Sequence, residues 1–266
     1  MTANRPASQE ASHRPVCQRP LVNLCCFRIM ATIPTGLQAK IHAVRGRIVQ
    51  ACGAAHRSAD SVRLLAVSKT FAAEDVREAA AAGQRDFGEN YVQEGVEKID
   101  ATRDLPLIWH FIGPIQSNKT RPIAECFDWV HSVDREKIAR RLSEQRPAGH
   151  EPLQTCIEVN VSGEASKSGV APADLLALAQ SIAGLPGLRL RGLMAIPEPT
   201  GDMARQRRRF AQLRALLQEL QAKLAQRGAL LDTLSMGMSA DLEAAIAEGA
   251  TMVRVGTAIF GGRAKT

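Results

Sequence analysis

A lysine stands where a short apolar run stops. Leu64-Leu65-Ala66-Val67-Ser68 reads as a β-strand, and Lys69 follows it directly. Strand alternation puts Lys69 on the same side as Val67 and Leu65. If those two side chains fill a closed barrel, the amine points into its mouth. An amine held there is partly desolvated, which lowers its pKa and yields the neutral nucleophile that condenses with an aldehyde. Position alone favours an ordinary solvated lysine. The alternation is what favours the inward amine.

Other residues with chemical potential fall at similar places. Asn90 closes Asp86-Phe87-Gly88-Glu89-Asn90, and Ser235-Met236-Gly237-Met238-Ser239 runs from a strand toward a helix expected to begin near Ala240. There Ser239 is placed to cap the helix, Gly237 allows close backbone approach, and the backbone N–H groups could cradle a phosphate. Gly256 and Thr257, expected inside the last strand after Arg254, would supply the other half of such a cradle. A capped helix and a tight turn explain the same residues without a ligand, and Asp241 and Glu243 would weaken the attraction for an anion. Arg254, inside Met252-Val253-Arg254-Val255, needs a partner if it faces inward. A carboxylate on a neighbouring strand is the commonplace partner; a ligand's aromatic nitrogen is the sharper one. Arg205, Arg207, Arg208 and Arg209 read as the solvated face of a long helix.

These residues need a frame, and the chain supplies a repeating one. Strand-like runs are expected at 63–68, 84–88, 108–113, 129–132, 154–161, 189–195, 233–236 and 252–259. Helical stretches lie between them, including 73–82 before Gly83, 171–183 with Pro172 near its start, and 204–226 before Gly228. One more helix, 37–56, precedes the first strand. Eight βα repeats in about 230 residues fit a single (β/α)8 barrel, whose chemistry sits on the loops after the strands and whose phosphate sites often follow strands seven and eight. A doubly wound parallel sheet is the runner-up.

Composition removes other classes. Of 266 residues, 45% are hydrophobic and 23% charged, the balance of an ordinary globular chain. No apolar run approaches the roughly 18 residues of a membrane span. The net charge of +7 is spread out and only 4% of residues are aromatic, which disfavours a nucleic-acid surface. Residues 1–29 hold four arginines against one glutamate and lack a sustained apolar stretch, so we read them as a disordered extension ahead of a barrel at 30–266. Met30, just before the first helical pattern, is an alternative start. The six cysteines and six histidines are scattered without a metal-ligand spacing. Neither a disulfide framework nor a metal site is expected.

Taken together the motifs are specific. Leu65-Ala-Val-Ser-Lys69, Phe87-Gly-Glu-Asn-Tyr91, Trp109-His-Phe-Ile-Gly-Pro-Ile-Gln-Ser-Asn-Lys119, Val159-Asn-Val-Ser162 with Lys167-Ser-Gly169, Gly192-Leu-Met194, Ser235-Met-Gly-Met-Ser-Ala-Asp241 and Val253-Arg-Val-Gly-Thr257 make the chain from about residue 36 resemble the YggS/PROSC family of pyridoxal phosphate homeostasis proteins. The resemblance implies an alanine-racemase-like barrel in which Lys69 forms a Schiff base with pyridoxal 5′-phosphate. It also implies that Ser235, Met236, Gly237 and Ser239 with Gly256 and Thr257 hold the phosphate, that Arg254 faces the pyridine nitrogen, and that Asn90 helps orient the ring. Lys167 matches a family lysine near the ligand entrance and receives no role. Residues before Met30 lie outside the pattern.

An arginine opposite the pyridine nitrogen weakens the electron sink on which cofactor enzymes depend. The chain also runs only a few residues past the eighth strand, whereas the related racemases draw a second acid/base from a separate β domain. The expectation is therefore a cytoplasmic, monomeric, non-catalytic binder: a carrier of pyridoxal phosphate exchanging it with apoenzymes or B6-salvage enzymes, without robust amino-acid turnover. A racemase-like enzyme using the same site is the alternative, and a Schiff-base barrel acting on sugar phosphates is the third reading.

Overall fold

The structure is a computed structural model and describes residues 36–163, 168–227 and 230–262. α1 (Gly36–Ala54) buries Leu37, Ile41, Val44, Ile48 and Cys52, the three-and-four spacing that gives a helix one apolar face. Strands and helices then alternate: β1 (Arg63–Val67), α2 (Ala73–Ala81), β2 (Asp86–Glu89), α3 (Val92–Ala101), β3 (Ile108–Phe111), α4 (Thr120–Cys126), β4 (Trp129–Val133) and α5 (Glu136–Gln145). The second half continues with β5 (Leu153–Glu158), α6 (Leu175–Ala183), β6 (Leu188–Met194), α7 (Met203–Leu224), β7 (Thr233–Ser235), α8 (Leu242–Ala247), β8 (Met252–Val255) and α9 (Thr257–Phe260). All pairings are parallel and follow chain order, and β8 returns to β1, so the sheet closes into an eight-stranded barrel. The open doubly wound sheet is excluded.

Alternation divides each strand between two environments. Leu64, Ala66, Phe87, Trp109 and Phe111 join the large core between sheet and helices. Leu65, Val67, Ile112 and Met252 form a small separate cluster, and Trp129, Cys156 and Met194 form another with Ile108. These two clusters lie on the inward face of the barrel, and the parity expected for Leu65 and Val67 holds. Gly192 makes the bulged β6 possible: a Cβ there would sit 1.9 Å from the Thr233 carbonyl oxygen, so only glycine lets the two backbones meet.

The structure corrects several expected boundaries. β8 stops at Val255 rather than running to 259, because Gly256 leaves the strand and its carbonyl accepts from the Ile259 and Phe260 amides, each at 2.9 Å. Gly256 and Thr257 thus lie after the strand, at the start of a single helical turn. β5 ends at Glu158, and Val159 continues only as a bridge to Val170. Pro172 opens a 3-10 turn, Pro172–Asp174, and α6 begins after it. The readings made for residues 1–29 and for Lys167 lie outside the described residues. Among those described, no helix is long and apolar enough to cross a membrane.

Candidate functional site

Closure of the barrel brings the expected residues to one rim. Ala66 is in register with Val255, Val67 with Gly88, and Ser235 with Met252. Lys69, Asn90, the 235–239 segment and the Arg254–Thr257 stretch therefore leave the barrel at the C-terminal ends of four consecutive strands, β7, β8, β1 and β2. That end is where barrels of this kind carry chemistry. Lys69 is half-buried.

A frame that sequence reasoning missed holds the turn around Lys69. Lys98, from α3, is 4% exposed and donates to the Ser68 carbonyl (2.7 Å), to Glu89 Oε1 (2.8 Å) and to Glu94 Oε1 (2.6 Å). The Ser68 hydroxyl donates to the same Glu89 oxygen at 2.7 Å, and the Thr70 amide donates to Glu94 at 2.5 Å. Both neighbours of Lys69 are thus tied to one buried ion cluster. Burial pushes the Glu89 carboxyl above its ordinary range, against the opposing pull of Lys98. Thr70 sits at φ 69°, a left-handed conformation that a β-branched residue adopts only under constraint from its surroundings. Asn90 stands next to this frame, and its buried Oδ1 has no hydrogen-bond partner among the described residues. Gly113 permits the closeness, since a Cβ there would fall 2.1 Å from the Asn90 carbonyl oxygen.

Arg254 is 4% exposed and faces the interior. The carboxylate partner expected by default is replaced by neutral acceptors. Nη1 donates to the Ser235 carbonyl (2.6 Å) and hydroxyl (2.8 Å), and Nη2 donates to the Ala195 carbonyl (2.9 Å). Among the described residues no acceptor takes the Nε–H or the second Nη2–H, which leaves these donors for a ligand. Burial lowers the guanidinium pKa to about 10, although Glu158 and Asp241 oppose the fall. It stays charged at neutral pH.

The 235–239 segment departs from its expected geometry. α8 begins at Leu242, not near Ala240, and Ser239 does not cap it; Asp241 occupies the cap position and its carboxylate accepts from the Met238 amide at 2.6 Å. The Ser235 hydroxyl is fully buried and engaged by Arg254 and His131. The Met236 side chain belongs to the outer core and its amide donates to the Met252 carbonyl. Gly237 adopts φ 93°, and a Cβ there would lie 2.5 Å from Ala245 Cβ, so the turn requires glycine. Arg47 from α1 braces it by donating to the Ser239 carbonyl (3.0 Å) and to Glu243 (2.8 Å). The parts of this rim left for an anion are the Ser239 end and the first-turn amides at Thr257, which have no acceptor within their own helix.

Beside the rim, Glu158, Asn160, Ile196, Pro197 and Met238 line a cleft of about 280 Å³. Burial, reinforced by Asp134, raises the Glu158 pKa to about 7 despite the nearby Arg254 charge. The arginines of α7 are paired as expected of a solvated face: Arg205 and Arg209 with Glu198, Arg207 and Arg214 with Glu248.

The closed barrel carries a lysine just beyond β1 and an inward arginine on β8, and comparison with known proteins assigns it to the alanine-racemase-like barrels. The sequence profile of the alanine racemase N-terminal domain matches residues 45–264. The chain belongs to that family and, within it, to the pyridoxal phosphate homeostasis proteins of the YggS/PROSC type. A pyridoxal phosphate homeostasis protein of Pseudomonas aeruginosa is 66% identical over 220 residues, 83% of this chain and 93% of that protein. The Escherichia coli K12 protein of the same name is 53% identical over 223 residues, 83% and 94% of the two chains. Among solved structures, PipY of Synechococcus elongatus with pyridoxal phosphate bound matches at a TM-score of 0.75 and 40% identity, covering 85% of this chain and all of that one. Alanine racemase of Corynebacterium glutamicum, at 17% identity and a TM-score of 0.61, shares the fold, and this chain covers 62% of its length.

Proposed function

We propose that this chain binds pyridoxal 5′-phosphate through Lys69 and serves as an intracellular buffer and carrier of the cofactor, without robust amino-acid turnover. The observation that carries the reading is the placement, on one rim, of the half-buried Lys69 and of an Arg254 whose Nε–H is among the donors left uncommitted by the described residues. The residues fit the group in a second respect: Asn90 presents a buried, unpartnered acceptor next to the lysine. When bound, pyridoxal phosphate supplies an aldehyde for the lysine amine. Arg254 donates to the ring nitrogen, which keeps that nitrogen unprotonated and the ring a poor electron sink. Ser239, Gly256 and Thr257 receive the phosphate at its backbone-rich edge, with Gly237 shaping the turn. Met236 serves through backbone position and packing, and Ser235 through its hydrogen bonds to Arg254. The solved PipY complex with pyridoxal phosphate and the names of the relatives at 53% to 66% identity support this reading.

The same reading takes residues 30–266 as the binding unit, acting as a cytoplasmic monomer toward apoenzymes or B6-salvage enzymes. Two assays run on one preparation test it. The loaded protein is expected to restore activity to a pyridoxal-phosphate-dependent apoenzyme, and α-proton exchange of L- and D-alanine in deuterated water is expected to stay at the level of free cofactor. Exchange that is well above that level and is lost in Lys69→Ala would establish the racemase-like alternative instead.

A further inference from the structure

Behind Arg254 runs a line of polar side chains that the binding of an aldehyde does not itself require. His131 Nδ1 lies 2.8 Å from Ser235 Oγ, although β4 and β7 are not neighbours, so the contact crosses the barrel interior. His131 Nε2 lies 3.0 Å from His110 Nδ1, and His110 Nε2 lies 3.1 Å from Asp86 Oδ1. Asp86 also meets Arg63, whose side chain is 47% exposed, at 3.3 Å. Arg63 opens β1, at the end of the barrel opposite Lys69. The line therefore spans the barrel from one end toward the other. Both histidine rings are fully buried, and His110 stacks on Trp129 with ring centroids 5.5 Å apart.

The two ends fix every proton between them. A guanidinium can only donate and a carboxylate can only accept. Burial depresses both histidine pKa values, His131 the more, with the Arg254 charge adding to its depression, which favours the neutral form of both rings. Ser235 Oγ accepts from Arg254 on one lone pair, and its own hydrogen goes to His131 Nδ1 because the acceptor-only Asp86 at the far end orients both neutral rings with Nε2 as donor and Nδ1 as acceptor. His131 then donates from Nε2 to His110 Nδ1, and His110 donates from Nε2 to Asp86. The reverse order would set a histidine lone pair against the Asp86 carboxylate. Such a chain is satisfied at each member, the condition for a buried polar network to specify one arrangement.

We propose that Asp86, His110, His131 and Ser235 form a one-directional hydrogen-bond relay through the barrel that positions Arg254 and presents its Nε–H to the ligand. These four are positioning residues, and their coupling to the ligand rests on the cofactor reading above. The relay itself does not.

The first experiment uses the ligand-free protein labelled with 15N-histidine. Long-range 1H–15N correlation spectra at pH 7, assigned with His110→Asn and His131→Asn, are expected to show both rings as neutral Nε2–H tautomers. An Nδ1–H tautomer or a charged ring at either position overturns the relay. The second compares pyridoxal phosphate binding to the wild-type protein, Ser235→Ala and Ser235→Thr. Loss of the hydroxyl is expected to weaken binding about tenfold and shift the visible absorption maximum, and threonine is expected to restore both. Unchanged affinity and absorption in folded Ser235→Ala overturn the coupling. Failure of the wild-type protein to bind pyridoxal phosphate overturns the cofactor reading, and the coupling with it, while the tautomer spectra still decide the relay.

Discussion

Lys69 and Arg254 are held by opposite kinds of chemistry. Behind Lys69, between β2 and α3, the supports are charged: Lys98 among Glu89 and Glu94, joined to the peptide groups on either side of the lysine. Behind Arg254, inside the barrel, the hydrogen-bonded supports are neutral: two histidines and a serine, in a line that ends on the Asp86 carboxylate. A charged cluster fits outside the sheet, where an opposite charge from a facing helix can reach it. The barrel interior already holds the Arg254 guanidinium, and a second cation beside it would carry a repulsive and desolvation cost. The difference teaches that one rim can be organised by ion pairing where a partner is available and by proton placement where charge has to be kept apart.

The strongest way to break the comparison is to remove the buried cation. Lys98→Met leaves Glu89 and Glu94 without their partner and is expected to cost about 3 to 5 kcal/mol in urea unfolding, with much of the loss recovered when Glu89→Gln is added. A loss below about 1 kcal/mol would mean that the cluster does not organise the turn.

The next test sharpens the electrostatic contrast. Glu158 has a pKa raised to about 7 by burial, so the folded chain keeps a proton that the unfolded chain releases near its ordinary value of 4.5. That contribution is present in full below pH 4.5 and is lost as pH rises to 7. Glu158→Gln is therefore expected to gain on the order of 2 to 3 kcal/mol over wild type between pH 4.5 and pH 8, measured by unfolding at both. The histidines act in the opposite sense. Their depressed pKa values make stability fall as pH drops below the ordinary 6.5, a loss that His131→Asn should reduce.

Smaller effects probe the turns at the rim. Gly237→Ala forces a side chain into a left-handed position against Ala245 and is expected to cost about 2 kcal/mol and to weaken phosphate retention, read by thermal unfolding and equilibrium dialysis. Thr70→Gly relieves the strained position beside Lys69 and is expected to stabilise by about 1 kcal/mol or less. Destabilisation there would show that the threonine side chain contributes more than the strain costs.

Much of this architecture was legible in the chain. The alternation of Leu65 and Val67 gave the inward face of β1, and eight strand-like runs gave the barrel, because period-two patterns are local. The end of β8 was hidden because Ile259 and Phe260 are apolar in either a strand or a helical turn. Lys98 was hidden for another reason. In sequence, Glu94 and Lys98 make an ordinary surface pair one helical turn apart, and only Glu89 on β2 makes burial of the amine tolerable. The two histidines were read as isolated, since 21 residues separate them. Their contact depends on the register that sets His110 opposite Trp129, which no local pattern reveals. A signal was nevertheless present: each histidine falls on the inward parity of its strand.

The central claim is that Lys69 carries the cofactor. The most direct measurement is the visible spectrum of protein incubated with pyridoxal phosphate, before and after borohydride reduction, followed by mass mapping of the peptides. A chromophore that reduction abolishes, with a phosphopyridoxyl mass on the peptide containing Lys69, is the expected result. Protein that stays colourless, or an adduct found on other lysines and absent from Lys69, would contradict the account and move the sugar-phosphate barrel to first place.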